Sequence, residues 1–220
     1  MLKKIAVGVV VVVLLFLAVV STRPATYEVE RSLSIPASSE IVWPLVSDLA
    51  KFPSWSPWQK LDPNVTTTFA GAPGVGQSYR WSGNDDVGEG GMTVTKVTPM
   101  TLVSEDLEFI RPFANKAVIT FELSPEVGST TRVSWSMSGN NNFMGKMMSL
   151  FMSMDAVVGK DFDEGLANLA VQAQAAAKQA AEAAAKRAAD EAASAAAAAA
   201  AAAAPAPGDA AATTAPQEPD

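Results

Sequence analysis

The chain is 220 residues long, carries a formal net charge of -7, and contains neither histidine nor cysteine. Those two absences remove the commonest general base, the commonest metal ligand and the thiol nucleophile, and they exclude thiolate metal sites and disulfides. The acidic balance, with Arg80, Arg111 and Arg132 isolated rather than clustered, excludes a nucleic-acid or anionic-lipid partner held by bulk electrostatics.

The chain begins with Lys3 and Lys4 ahead of sixteen apolar residues, Ile5 to Val20, and then Ser21, Thr22 and Arg23. As a helix this run spans roughly 24 Å against a hydrocarbon thickness of about 30 Å. Snorkelling by the two lysines, hydroxyls of Ser21 and Thr22 bonded back to the helix, and local bilayer thinning close the gap. A cleaved signal peptide is the alternative, but it wants small residues three and one before the cut. The pairs available, Val19 with Ser21 and Arg23 with Ala25, are not clean small-x-small sites. Residues 1–23 are therefore expected to be an uncleaved single-pass anchor in the inner (cytoplasmic) membrane. The lysine asymmetry puts the N-terminus in the cytoplasm and the rest of the chain on the extracytoplasmic side.

Residues 27 to 35, YEVERSLSI, alternate, with Tyr27, Val29, Arg31, Leu33 and Ile35 on one face; Pro36 stops the strand. Ser38 or Ser39 caps a short helix through Ser47, and Asp48 begins a second turn that ends at Pro53. Further strands are expected at 65–69, 77–82, 89–98, 101–109, 115–123 and 130–138. Their connections are too short for parallel crossovers, so the sheet is antiparallel. Every second residue gives an apolar face: Tyr79 and Trp81; Met92 and Val94; Val103, Leu107 and Phe109; Ala117, Ile119, Phe121 and Leu123; Val133, Trp135 and Met137. The opposite parity, Arg80, Thr93, Asp106, Glu108, Thr120, Glu122, Arg132 and Ser134, is polar, so one face is wet and one is covered.

The cover is a last helix in which Met154, Val158, Phe162, Gly165, Leu166 and Leu169 recur at helical spacing. Seven strands make a sheet roughly 30 Å wide, and one helix is only about 10 to 12 Å across. The sheet must therefore curl, and a curled sheet around one helix either packs solid on Trp81, Trp135 and the methionines or encloses a space. The run from Phe143 to Met154 holds five methionines, which suit either plain packing or an adaptable rim or membrane contact. From Val171 to Ala204 the chain is mostly alanine, with opposite charges four apart at 178 and 182, 182 and 186, 186 and 190, and 187 and 191. Such a segment is helical without tertiary support. It reads as a solvated stalk or, alternatively, a partner-binding helix. Pro205 and Pro207 end it, and 205–220 read as disordered. The domain plan is thus 1–23, 24–170, 171–204 and 205–220.

The element order together with Phe52-Pro53-Ser54-Trp55-Ser56-Pro57-Trp58, the run Trp81 to Gly90, the strand Val133-Ser134-Trp135-Ser136-Met137-Ser138-Gly139 and the helix segment Lys160 to Leu169 resembles the START-like (SRPBCC) superfamily, which includes the polyketide cyclase/dehydrase and lipid transport family. The resemblance covers roughly 27 to 169. It implies an α+β helix-grip fold: a curved seven-stranded antiparallel sheet around a long C-terminal helix, with two short helices after the first strand. It also implies a hydrophobic pocket, and it leaves function open between lipid carriers, cyclases and chaperone co-factors.

Gly71, Gly74 and Gly76 lack the third glycine and the following helix of a phosphate loop. The Asn84 to Glu89 turn lacks the bidentate glutamate of a calcium loop, since position twelve is Thr95. Two ionisable groups, Arg31 and Glu105, fall on the apolar parity. They either pair with each other or orient a ligand's polar head, provided no bulge turns them outward. The candidate ligand-binding residues are therefore Arg31, Tyr79, Trp81, Met92, Glu105, Phe121, Trp135, Met137, Val158 and Phe162, with no metal, no cofactor and no catalytic set. The expected partner is a small hydrophobic or lipid-like ligand. The alternatives are a cyclase-type enzyme running on Glu105, Tyr79 or Arg31, and a protein-binding or co-chaperone module.

Overall fold

The structure, a computed structural model, describes residues 2–203. The stretch expected to be disordered, 205–220, lies outside the described residues, as do the prolines expected to end the last helix. The chain divides between Ala177 and Lys178 into two compact units.

The first helix, α1, runs Leu2–Ser21, and its Lys3–Ser21 stretch is long and apolar enough to cross a membrane by length and composition. Its side chains are exposed from Lys3 to Val19, while Val20 is fully buried. The Ser21 and Thr22 hydroxyls donate to the Ala18 and Val19 carbonyls, each at 2.7 Å, so both are satisfied without water.

The order that follows is β1 (Thr26–Ile35), α2 (Ser39–Ser47), two 3-10 turns (Phe52–Ser54 and Pro57–Lys60), β2 (Thr66–Ala70), β3 (Ser78–Ser82), β4 (Glu89–Thr98), β5 (Leu102–Arg111), β6 (Asn115–Glu126), β7 (Thr130–Asn140), α3 (Phe143–Met148) and α4 (Met154–Ala203). The strands form one antiparallel sheet in the order β1-β7-β6-β5-β4-β3-β2, and with the long C-terminal helix this is the α+β helix-grip architecture. The expected second short helix is instead the pair of 3-10 turns, each with a proline at its start. Proline suits that position because the first N–H has no partner within the turn. Asp48 does begin a turn: its carbonyl accepts from Lys51 N at 2.8 Å, and its carboxylate accepts from Ala50 N at 3.0 Å and from Gln77 Nε2 at 2.6 Å.

Alternation holds along the central strands, and the inward residues Met92, Val94, Val103, Leu107, Ala117, Ile119, Phe121, Leu123, Val133, Trp135 and Met137 are all buried. Leu33 departs from the expectation: on the edge strand β1 it is exposed, because no further strand covers that side. The α4 stripe buries Phe162, Leu166 and Leu169, and burial continues to Ala170 and Ala173. The gripping helix and the alanine-rich segment are one continuous helix. Gly165 lets α4 approach the sheet, since a Cβ there would lie 2.6 Å from the Trp135 ring. The methionine-rich run divides between its two readings: Phe143, Met144, Met148, Phe151 and Met152 are exposed, while Met154 is half-buried against the core. Most of this run follows β7 as α3 and the link to α4.

Candidate ligand cavity

Register sorts the inward side chains into rows across the sheet. Val103, Phe121, Trp135 and Arg31 form one row; Val94, Glu105, Ile119, Met137 and Val29 the next. Tyr79, Met92, Leu107 and Ala117 form a third, and Trp81, Gly90 and Phe109 a fourth. Gly90 spares room for its neighbour, because a Cβ there would lie 2.5 Å from the Trp81 indole. Beyond the first row, Ile35, Leu123 and Val133 pack with Val42, Val46 and Leu49 into a closed core.

Above the other rows lies a cavity of about 260 Å³. Tyr79, Trp81, Met92, Glu105, Phe121, Trp135, Met137, Val158 and Phe162 all line it. The two sequence alternatives, solid core and hollow, therefore describe two ends of one sheet. Phe162 stacks on Trp135 with ring centroids 4.1 Å apart, and Trp55 meets Trp135 edge-on at 5.5 Å and Phe121 at 5.8 Å. This aromatic cluster separates the packed end from the hollow one.

Arg31 is not among the lining residues, and the expected pairing with Glu105 does not form. It points toward α4, where its Nη1 lies 2.8 Å from Asp155 Oδ1 and its Nε 3.3 Å from Asp163 Oδ2. Its guanidinium fills the space left by Gly159, a Cβ there being 2.3 Å from Arg31 Nη2. The parity is inward, but on an edge strand inward means the flank of the helix. The hydrogen bond from Arg31 holds Asp155 below the ordinary carboxylate range, and the same bond holds Arg31 above its own usual value.

Glu105 sits on β5, the middle strand, between Val94 and Ile119. The β4 irregularity falls at Thr95, one step past its partner, so Glu105 keeps its inward direction. It is 1% exposed, and its Oε2 is sealed without a hydrogen-bond partner. Burial pushes its pKa up to about 8, because a carboxylate loses hydration there with no cation to replace it. Burial likewise pushes Tyr79 up to about 12, so burial favours the neutral form of both groups. The indoles of Trp55, Trp58 and Trp81 donate to Leu45 O, Asp161 Oδ2 and Val87 O. The Trp135 indole N–H has no partner.

Phe52 and Trp58 from the 3-10 turns, Asp86 and Val87 from the β3–β4 turn, Arg111 at the end of β5 and Pro112 after it also line the wall. Sequence periodicity missed them because turns carry none. Only the tryptophans clustered in Phe52 to Trp58 hinted at a second aromatic wall. Arg111 is exposed and paired with Glu89 at 3.0 Å, which marks this end as the mouth.

The model of a family described as polyketide cyclase / dehydrase and lipid transport matches residues 26–174. No curated protein matches the chain. Among solved structures, the chain is similar to a Nitrosospira multiformis protein (23% identity, 66% of this chain and 95% of that one, TM-score 0.48). It is also similar to a Mesorhizobium loti protein (19% identity, 67% and 95%, TM-score 0.47). A third is the Aha1 dimer from Colwellia psychrerythraea (20% identity, 65% and 92%, TM-score 0.46).

Proposed function

The chain belongs to the polyketide cyclase/dehydrase and lipid transport family, and from that premise we propose that it binds a small hydrophobic or amphipathic molecule, lipids included, while tethered to a membrane by α1. The observation that carries the reading is the cavity of about 260 Å³, walled by aromatic and aliphatic side chains with a few polar groups, the usual make-up of a small-molecule site.

Tethering draws support from topology. β1 starts where β7 ends, Thr26 opposite Asn140. The same end of the sheet carries the start of β6 and the end of β5, Asn115 opposite Phe109. The mouth residues Arg111 and Pro112 therefore stand at the end to which α1 is joined; the exposed Phe113 lies in the β5–β6 loop of that end, and the exposed Phe143 and Phe151 lie in and just after α3, which follows β7 there. A bilayer entered by α1 is the natural neighbour for such side chains. On this reading the N-terminus is cytoplasmic and the domain extracytoplasmic.

The test is mass spectrometry of organic extracts from the full chain, freshly purified from its own membranes, beside the same extract from Leu107→Trp, whose larger side chain enters the cavity. A compound held by the parent and missing from the variant is expected; identical extracts would end the reading.

Glu105 favours one other function. A buried carboxyl that keeps its proton near pH 7 is placed to protonate a substrate oxygen, as a cyclase-type enzyme requires. Turnover that survives Glu105→Gln would remove that reading.

A further inference from the structure

We propose that the ligand is an uncharged, oxygen-bearing apolar compound, such as an alcohol, ketone or ester, seated with its oxygen inward on the Glu105 carboxyl, and that the cavity rejects carboxylates. This rests on the binding reading above and deepens it.

Glu105 is the carboxyl on the sheet side of a mainly apolar and aromatic wall, and its Oε2, like the Trp135 indole N–H, has no partner in the protein. The cations that could have neutralised it are engaged elsewhere. Arg31 is held by Asp155 and Asp163, Arg111 by Glu89, and Lys60 by Glu164. The cross-strand neighbours Val94 and Ile119 are apolar, and the other charged lining groups, Asp86 and Arg111, are exposed at the mouth. A carboxyl in these surroundings keeps its proton near neutrality and offers one O–H donor and a carbonyl acceptor.

Three ligand chemistries then differ. An alkane leaves the carboxyl unsatisfied, at the cost of an unmet buried polar group. A carboxylate can share the Glu105 proton, but the pair still buries a net negative charge in a space with no free cation, which is the unfavourable case for burying charge. A neutral oxygen accepts from the carboxyl or donates to it and leaves no charge buried.

Octanol, octane and octanoate share one apolar chain length and differ in the group at its end. Each is titrated calorimetrically at pH 6.5 into the full chain held in phosphatidylcholine nanodiscs, with empty discs as the blank. Octanol is expected to bind at least tenfold tighter than octanoate. In Glu105→Leu the ratio of octanol to octane affinity is expected to fall about tenfold, while Glu105→Gln, which keeps a neutral donor and acceptor, preserves it. Octanoate binding as tightly as octanol, or an unchanged ratio in Glu105→Leu, would overturn the inference and leave the binding reading standing. If neither octane nor octanol binds the parent chain, the binding reading fails and the inference with it.

Discussion

The two ends of the sheet share one pattern and reach opposite results. At one end Ile35, Leu123 and Val133 meet Val42, Val46 and Leu49 and pack closed; at the other, Met92, Leu107, Tyr79 and Trp81 face a cavity. Strand alternation decides which side chains turn inward at both ends. What differs is the cover. The closed end has α2 and the segment to Leu49 in addition to Leu166 and Leu169 of α4, while the hollow end has Val158 and Phe162 of α4 and the aromatic 3-10 turns. The lesson is that patterning specifies a face, and the number of covering elements specifies whether that face becomes core or pocket.

The largest contrast comes from truncation. Leu166→Ala, at a fully buried packed position, is expected to cost about 2 to 5 kcal/mol by chemical denaturation, as large-to-small changes in tight cores do. Met92→Ala borders space that is already empty and is expected to cost less than half as much. Equal losses would erase the difference between the ends.

Next comes the buried acid. Glu105 is raised on folding to about 8 from an ordinary value of 4.5, so the folded state binds its proton more tightly than the unfolded state. Its sign is the reverse of a salt-bridged carboxylate: no penalty exists below about pH 4.5, and stability falls as pH rises from there to about 8. The slope reaches at most about 1.4 kcal/mol per pH unit. The chain has no histidine or cysteine, the side chains whose ordinary values lie in or near that window. Denaturation midpoints of the parent should fall across it, and Glu105→Leu should flatten the curve and raise stability near pH 7. A parent curve as flat as the variant's would mean that the carboxyl is hydrated or paired.

Arg31 supplies the small end of the scale. Its partners Asp155 and Asp163 are more than half exposed, and exposed pairs contribute little. Arg31→Met should shift the melting temperature far less than either change at Leu166 or Glu105, and added salt should shrink the difference further. Removing everything after Ala177, the boundary between the two compact units, should shift it least of all.

Much of the sheet was legible because β3 to β7 alternate cleanly, and parity alone brought Tyr79, Trp81, Met92, Glu105, Phe121, Trp135 and Met137 to one wall. Helical spacing added Val158 and Phe162. Arg31 shows the limit: its parity was readable, but whether the inward side of β1 meets a cavity or the acids of α4 depends on strand order, which local sequence does not encode. The turns that supply Phe52, Trp58, Val87 and Pro112 have no period to read. Ala173 was invisible for another reason, since a buried alanine among solvent-facing alanines leaves no apolar stripe.

The most direct test of a packed end and a hollow end is one substitution made in both places, Leu107→Trp and Leu166→Trp, with thermal melting as the readout. Leu107→Trp should melt within about 2 to 4 °C of the parent, a change of about 1 kcal/mol for a domain of this size, because the cavity absorbs the added ring. Leu166→Trp should fall well below that through overpacking. If Leu107→Trp falls as far as Leu166→Trp, the cavity is not there to receive a ligand.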